Sequence, residues 1–242
     1  MARLTQASDM TAVMRAQSAL ADRPVQQLRL PLERHGVFEA YVESGCNAEA
    51  VRVLERWPDG VGPVLALHGP AGSGKSRLAA AWAERMGAVA LHGAEAALID
   101  PLELEGRPVL LDRAPDADDE SLFHLINLAL AGGALLLVGR EPPRRWTTAL
   151  PDLRSRLDAV RTVAIAAPDD AVLSAILRAR FAERSIAPSD ETVDYLVRRL
   201  DRSAEAASMV VKRLDALHRP VTRALAREVL DGMDGAEETT CP

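Results

Sequence analysis

Cysteine is scarce in this chain, and its cysteines form neither a metal-binding pattern nor a disulfide pattern. The only two cysteines, Cys46 and Cys241, lie far apart and stand in no metal-ligand spacing. A disulfide framework or a zinc site needs several such ligands at close, regular spacing. We therefore expect neither, and we interpret both thiols as structural.

Long apolar runs and basic stripes are also lacking. No run of apolar residues reaches the roughly 18 positions that a membrane-spanning helix needs, and the amino terminus carries no apolar signal segment. The net charge is −6 and the basic residues are scattered, which argues against a large nucleic-acid footprint. We expect a cytoplasmic, soluble protein that contacts no membrane and no bare DNA.

Lysine is rare, because nearly all the basic residues are arginines. Only Lys75 and Lys212 are lysines. In a chain so enriched in arginine, a remaining lysine indicates a position that needs the compact ammonium group. Lys75 lies inside the glycine-rich segment described below.

The 242 residues are enough for two small domains. Short apolar runs alternate with helix-length segments up to Ile165, and several of these runs are continuously apolar, as strands buried on both faces should be. This alternation predicts an α/β domain with a parallel sheet and helices on both faces. The predicted strands are Val64 to His68, Ala88 to His92, Pro108 to Asp112, Ala134 to Val138 and Thr162 to Ile165.

After Pro168 the pattern has only helical periods, which predicts a second, all-helical domain. Its predicted helices are Asp169 to Arg184, Ser189 to Leu200, Ala204 to Leu217 and Val221 to Leu230. The predicted organisation is a flexible tail over 1–24, an extended arm over 25–32, the α/β domain over 33–166, the helical domain over 167–232 and a polar tail over 233–242.

A glycine-rich segment between the first predicted strand and a helix fits the pattern G-x-x-x-x-G-K-[ST]. The glycines let backbone N–H groups turn toward phosphate oxygens, the lysine reaches the terminal phosphates, and the serine hydroxyl can bind Mg²⁺. The segment predicts a site for ADP or ATP. Its residues are Gly69, Pro70, Ala71, Gly72, Ser73, Gly74, Lys75 and Ser76.

Asp112 ends another predicted strand and is the candidate second ligand of Mg²⁺, together with Ser76. The alternative role of Asp112 is to cap a turn or helix after a core strand. The next residue is Arg113, where a hydrolysing ATPase of this broad class commonly has an acid that orients water. We therefore predict weak ATP hydrolysis by the chain itself.

Four blocks in order resemble the AAA+ module of the DnaA family, in the shortened form of its regulatory members. They are Gln27 to Leu32, the glycine-rich loop, Asp112 with Pro142-Pro143, and Leu150 to Leu157. The resemblance covers about residues 25 to 232. It implies a P-loop αβα sandwich followed by a helical lid.

The first block resembles the peptide by which proteins dock on the β sliding clamp of DNA polymerase III. An extended segment stiffened by proline can place leucines in apolar pockets while a glutamine forms hydrogen bonds at the rim. The alternative is an arm that packs on its own domain. The implied clamp-binding residues are Gln27, Leu28, Leu30, Pro31 and Leu32.

The last block resembles the region that presents an arginine finger across an AAA+ subunit interface, and Arg156 is the matching position. A guanidinium from a neighbouring subunit stabilises the charge that develops in phosphoryl transfer. Arg154 is the nearby competitor. The alternative for Arg156 is a surface ion pair with Asp152 or Asp158.

The resemblance also implies residues beside the base and two sensors. Phe38, Tyr41 and Asn47 match the segment that packs at the adenine side. The alternative for the two aromatic residues is a simple place in the core. The first sensor position is Gly139-Arg140, without the usual small polar side chain. The second sensor falls near Ser208, and Arg202 can replace it only if the lid helix is displaced.

The resemblance implies a regulator that binds nucleotide and the clamp and stimulates ATP hydrolysis by DnaA, reaching DNA only through the clamp. DnaA itself has a DNA-binding domain after the lid, and we expect none here. A homo-oligomer is compatible with this class. The rival hypotheses are an independent ATPase of the clamp-loader or helicase-loader type and a DnaA paralogue with another client.

Overall fold

The computed structural model describes residues 42–58 and 62–237, with side chains up to Met233. Its five strands are β1 (Val64–His68), β2 (Val89–His92), β3 (Pro108–Asp112), β4 (Ala134–Gly139) and β5 (Arg161–Ala164). Its helices are α1 (Ala48–Arg56), α2 (Lys75–Met86), α3 (Asp119–Leu130), α4 (Pro151–Ala159), α5 (Asp170–Ala182), α6 (Asp190–Val197), α7 (Ala204–Ala216) and α8 (Arg223–Glu237).

The five strands form one parallel sheet in the order β2-β3-β4-β1-β5. Each matches a predicted strand to within one residue at either end. Because all the strands are parallel, their carboxyl ends meet at one edge, where ligands of open α/β sheets commonly bind. The loops after β1, β3 and β4 therefore lie at the same edge.

Helices cover both faces of the sheet, and alternate residues of each strand point to opposite faces. Val64 and Ala66 of β1 pack with α3 and α4, whereas Leu65 and Leu67 pack with α1 and α2. Because these helices cover the centre of the sheet on both sides, β1 and β4 are almost continuously buried. The predicted αβα sandwich is confirmed.

The helices α5 to α8 enclose a third core built from residues such as Leu177, Phe181, Leu196 and Val211. We call this bundle the lid. The Asp169 carboxylate caps α5, and the hydroxyls of Ser189 and Ser203 cap α6 and α7, in each case by accepting a backbone N–H of the first turn.

The last helix runs further than its sequence pattern predicts. Instead of ending at Leu230, α8 continues through Gly232 to Glu237, into the segment predicted as a polar tail. Met233 still packs against the lid core, and the two glycines of this extension, Gly232 and Gly235, each cost the helix only about 1 kcal/mol. Within the described segments, no helix has the length and apolar character needed to cross a membrane.

Candidate functional site

The glycine-rich loop connects β1 to α2 at the carboxyl edge of the sheet. Gly72 and Gly74 have φ angles of 68° and 90°, which residues with a Cβ rarely adopt. A Cβ on Gly69 would collide with the backbone oxygen of Ile165. The backbone thus takes a course that only glycines permit, and it leads into a helix start, where N–H groups and the helix dipole favour an anion. These residues fit a phosphate group.

Lys75 is the first residue of α2, and only 9% of it is exposed. Its Nζ donates to the Pro70 carbonyl at 2.6 Å and to the Ser73 hydroxyl at 3.3 Å. Burial is the main cause that lowers the pKa of Lys75, and the positive charge of Arg140 lowers it further. The carboxylates of Asp112 and Glu205 act in the opposite direction.

Asp112 lies at the carboxyl end of β3, two strands away from β1. Its Oδ1 accepts the N–H of Arg113 at 2.9 Å, a contact within the turn. Ser76, the other predicted Mg²⁺ ligand, is exposed on the first turn of α2. No group of three His, Cys, Asp or Glu side chains suited to a metal occurs in the described part of the chain.

Arg113 occupies the position at which hydrolysing ATPases of this broad class commonly have a water-orienting acid. Its backbone is left-handed, with φ 50° and ψ 47°. This conformation is uncommon for a residue with a Cβ. It turns the chain sharply between β3 and the short 3-10 helix Ala114–Asp116. The exposed guanidinium carries a positive charge and cannot act as a base toward water.

Arg140 lies at the position that the resemblance assigns to the first sensor, but its contact with the loop was not predicted. It follows β4, which pairs with β1, and its carbonyl accepts the N–H of Gly69 at 3.2 Å. Its charge acts on Lys75, as noted above. The available signal was its position directly after a buried strand, which places it at the same edge as the loop.

The lid contacts the glycine-rich loop directly. The N–H of Ala204, the first residue of α7, donates to the Gly72 carbonyl at 3.0 Å. A Cβ on Gly72 would collide with the Glu205 carboxylate and with Ser203. The sequence did not indicate this role for Glu205, because the contact depends on how the lid folds back.

The two predicted second-sensor positions have other partners. Arg202 donates to the Pro168 carbonyl at 3.3 Å and pairs with Asp170 at 2.7 Å, so its guanidinium lies against the start of α5. The Ser208 hydroxyl donates to the Ala204 carbonyl of its own helix at 2.8 Å. Among these lid residues, Glu205 is the one whose charge acts on Lys75.

Asn47 is 2% exposed and organises the turn before α1. Its Oδ1 accepts the N–H of Ser44, and its Nδ2 donates to the Val42 carbonyl, both at 2.9 Å. The Ser44 hydroxyl in turn donates to Asp169, at the start of the lid. Asn47 thus holds the segment that connects to the lid, and its place beside a base stays a prediction.

Several predicted site residues lie outside the described residues. They are Phe38 and Tyr41 at the adenine side and the five clamp-binding positions within 27–32. Their assignments rest on the sequence alone.

Arg156 lies on α4 at the opposite edge of the sheet from the loop. Its guanidinium stacks 4.7 Å from the ring centroid of Phe123, and it lines a cavity of about 340 Å³ beside Pro63 and Val64, where β1 begins. Its Nε is buried and has no hydrogen-bond partner among residues 42–58 and 62–237. The surface ion pair considered as an alternative is not formed within these segments: the partner of Asp158 is Arg154, at 3.5 Å.

Arg154, the competing arginine, is engaged in the structure of its own subunit. Its guanidinium donates to the carbonyls of Pro143, Arg144 and Trp146 at 2.8 to 3.3 Å. These bonds fasten the loop after β4 to α4. Arg154 is therefore a structural residue in this chain.

Comparisons with known proteins agree with this fold. No protein-family model matches the sequence. The chain is 28% identical over 120 residues to the chromosomal replication initiator protein DnaA of Thermomicrobium roseum, a match that covers 48% of the chain and 26% of that protein. The chain thus matches about a quarter of the length of this curated relative.

Solved structures show the same fold. Domain III of Thermotoga maritima DnaA superposes with a TM-score of 0.67 at 16% identity, covering 81% of this chain and 95% of that one. AMPPCP-bound DnaA from Aquifex aeolicus superposes with a TM-score of 0.56 at 19% identity, covering 75% and 65%. The chain therefore has the P-loop α/β fold of these DnaA structures.

Proposed function

We propose that this chain is a nucleotide-bound AAA+ regulator of the Hda type. In this role it docks on the β sliding clamp of DNA polymerase III and stimulates ATP hydrolysis by the initiator DnaA, which prevents re-initiation of chromosome replication. Its cofactor is ADP or ATP with Mg²⁺. Its partners are DnaA and the clamp, and it reaches DNA only through the clamp.

Nucleotide binding is supported by the glycine-dependent backbone of the loop and by its buried lysine. The backbone N–H groups of residues 69–76 and the ammonium of Lys75 would hold the phosphates, and Ser76 and Asp112 would hold Mg²⁺. A bound nucleotide would supply phosphate charge at this loop, which helix α7 of the lid already contacts at Gly72. AMPPCP in the Aquifex aeolicus DnaA structure is consistent with this role.

Weak hydrolysis by the chain itself follows from the residue after Asp112. The positively charged Arg113, in a left-handed turn, stands where an acid would be required to orient water. Phosphate binding does not depend on that acid. We therefore propose that the nucleotide is a structural ligand here.

The observation that carries the proposal is the position of Arg156. A five-residue strand is about 16 Å long, so the amino end of β1 lies far beyond hydrogen-bond distance from the loop at its carboxyl end. Arg156 therefore cannot serve the phosphate site of its own subunit. We propose that the partly exposed Arg156 side chain donates to an acceptor on another protein instead.

Docking on the clamp is supported by the sequence of residues 27–32 only. An extended segment ahead of the α/β domain would tether the regulator to the clamp and so raise its effective concentration near DnaA.

Reconstitution tests the proposal. The full chain is mixed with ATP-loaded DnaA and with clamp loaded on DNA, and phosphate release is followed over time. We expect faster release from DnaA only when the chain and the clamp are both present, and little release by the chain alone. Rapid hydrolysis by the chain alone, without any effect on DnaA, would instead identify an independent ATPase. No release in either case would point to another client.

A further inference from the structure

The contact between the lid and the glycine-rich loop brings an acidic side chain to a site suited to anions. Ser203 caps α7, the N–H of Ala204 donates to the Gly72 carbonyl, and the next residue, Glu205, lies with its carboxylate against the α-carbon of Gly72. A carboxylate beside a phosphate-binding loop repels the ligand that the loop is shaped to hold.

The charge of Glu205 acts on the lysine that would bind the terminal phosphates. In such loops the lysine reaches the β- and γ-phosphates. The charges of Glu205, Asp112 and Arg140 all act on the ammonium group of Lys75. Glu205 therefore acts on the same ammonium that binds the terminal phosphates. Repulsion between a carboxylate and a polyphosphate grows with each added phosphate charge.

Glu205 also has an ordinary role as an acid in the first turn of a helix, where the helix dipole favours negative charge. That role predicts an effect on stability and none on the choice between nucleotides. The two roles are therefore separable by experiment.

We propose that Glu205 is a specificity-determining residue of the phosphate site, whose carboxylate weakens binding in proportion to phosphate charge and so disfavours a nucleoside triphosphate relative to a diphosphate. This proposal rests on the nucleotide binding proposed above. It assigns the selectivity for phosphate number to a lid residue, through its contact with Gly72.

The test compares the binding of ADP and ATP by calorimetry, at one Mg²⁺ concentration and low ionic strength, for the wild-type chain and Glu205→Gln. We expect the ATP affinity to rise about tenfold and the ADP affinity to rise less. Glu205→Lys should move the ratio of ATP to ADP affinity further in the same direction. Glu205→Asp keeps the charge and should stay close to wild type.

Asp194→Asn is the matched control. Asp194 is also an exposed carboxylate of the lid, on α6, and neither it nor Glu205 forms an ion pair within the described part of the chain. Its replacement removes the same charge from the lid and should leave the affinity ratio unchanged. Thermal unfolding of every variant measures separately how much Glu205 stabilises the first turn of α7.

The outcomes separate this inference from the proposed function. If the wild-type chain binds neither nucleotide, nucleotide binding itself fails, and the inference fails with it. If both nucleotides bind and the affinity ratio is the same in Glu205→Gln, Glu205→Lys and wild type, the specificity role is overturned while nucleotide binding stands. A ratio that shifts in Asp194→Asn as much as in Glu205→Gln also overturns it, because the effect would then come from net charge alone.

Discussion

At the scale of single residues, Lys75 shows why the loop is suited to anions. It is largely buried, and it is held by the Pro70 carbonyl and the Ser73 hydroxyl. Burying a charged ammonium is costly unless the site gains from it. The two oxygens hold the ammonium in place inside the loop.

Lys75→Ala should remove most nucleotide binding, because charge-assisted hydrogen bonds to phosphate are lost. We expect the ADP affinity to fall by about 100-fold or more. Lys212→Ala is the matched control, since Lys212 is exposed on α7 and is the only other lysine. Calorimetry that gave near wild-type ADP affinity for Lys75→Ala would refute the assignment of the loop.

The sequence predicts residues whose roles are encoded by local spacing. Gly69 to Ser76 and the strand that ends at Asp112 could be identified in this way, because loop and helix are adjacent in the chain. The contacts of Arg140 and Glu205 with the loop could not be predicted in this way. Arg140, which the resemblance places at the first sensor, approaches the loop through strand pairing, and Glu205 approaches it through the folding of the lid.

At the scale of elements, the segment 42–47 and the start of α5 form the junction between the sheet and the lid. The Ser44 hydroxyl and the N–H of Val172 both donate to Asp169, and these bonds, in that order, lower the pKa of its carboxyl group. The N–H of Ala166 donates to the Cys46 carbonyl at 2.9 Å, which fastens the chain after β5 to the same segment.

Asp169→Ala should lower the free energy of unfolding by about 1 kcal/mol at neutral pH, through loss of the cap. The folded-state pKa of Asp169 is lowered, so its stabilisation is present above the unfolded pKa of about 3.9 and is lost as the pH falls through the folded value. In urea unfolding, the difference in free energy of unfolding between wild type and Asp169→Ala should therefore shrink as the pH falls below about 4.

Asp169→Asn is the control for this cap, because asparagine also caps helices well. It should keep most of the stability at neutral pH. A difference between Asp169→Ala and wild type that stays constant through the acid range would contradict the role of the carboxylate charge.

The proposed clamp-binding arm is a second element with a separable test. Replacing Gln27 and Leu30 together by Ala should abolish clamp association and leave nucleotide affinity unchanged, because the glycine-rich loop lies more than 30 residues further along the chain. Clamp pull-down and calorimetry on the same variant check both parts. Clamp association that survives the double substitution would place the contact elsewhere.

At the scale of the whole molecule, helices cover both faces of the sheet, and the proposed site residues lie at its two opposite edges. The loop and Glu205 lie at the carboxyl edge, whereas Arg156 stacks on Phe123 at the amino edge. The parallel sheet and the helical lid follow from the periodicity of the sequence. The separation of the loop from Arg156 does not follow from the periodicity, because it depends on which end of a strand each segment joins.

The proposed action of Arg156 in trans would distinguish a regulator from a self-sufficient enzyme. Arg154 is unsuited as a control for it, since its bonds to three backbone carbonyls make any substitution a structural change. Arg161 lines the same cavity and is exposed, so Arg161→Ala is the better match.

Phosphate release from ATP-loaded DnaA, in the presence of clamp on DNA, is the measurement that tests a role in trans most directly. An arginine finger raises phosphoryl transfer by about 10³- to 10⁵-fold, so Arg156→Ala should lose nearly all stimulation. Arg156→Lys should recover little, because an ammonium lacks the planar fork, and Arg161→Ala should stimulate normally. Nucleotide and clamp binding should persist in all three variants. Normal stimulation by a folded Arg156→Ala chain would contradict the role of Arg156.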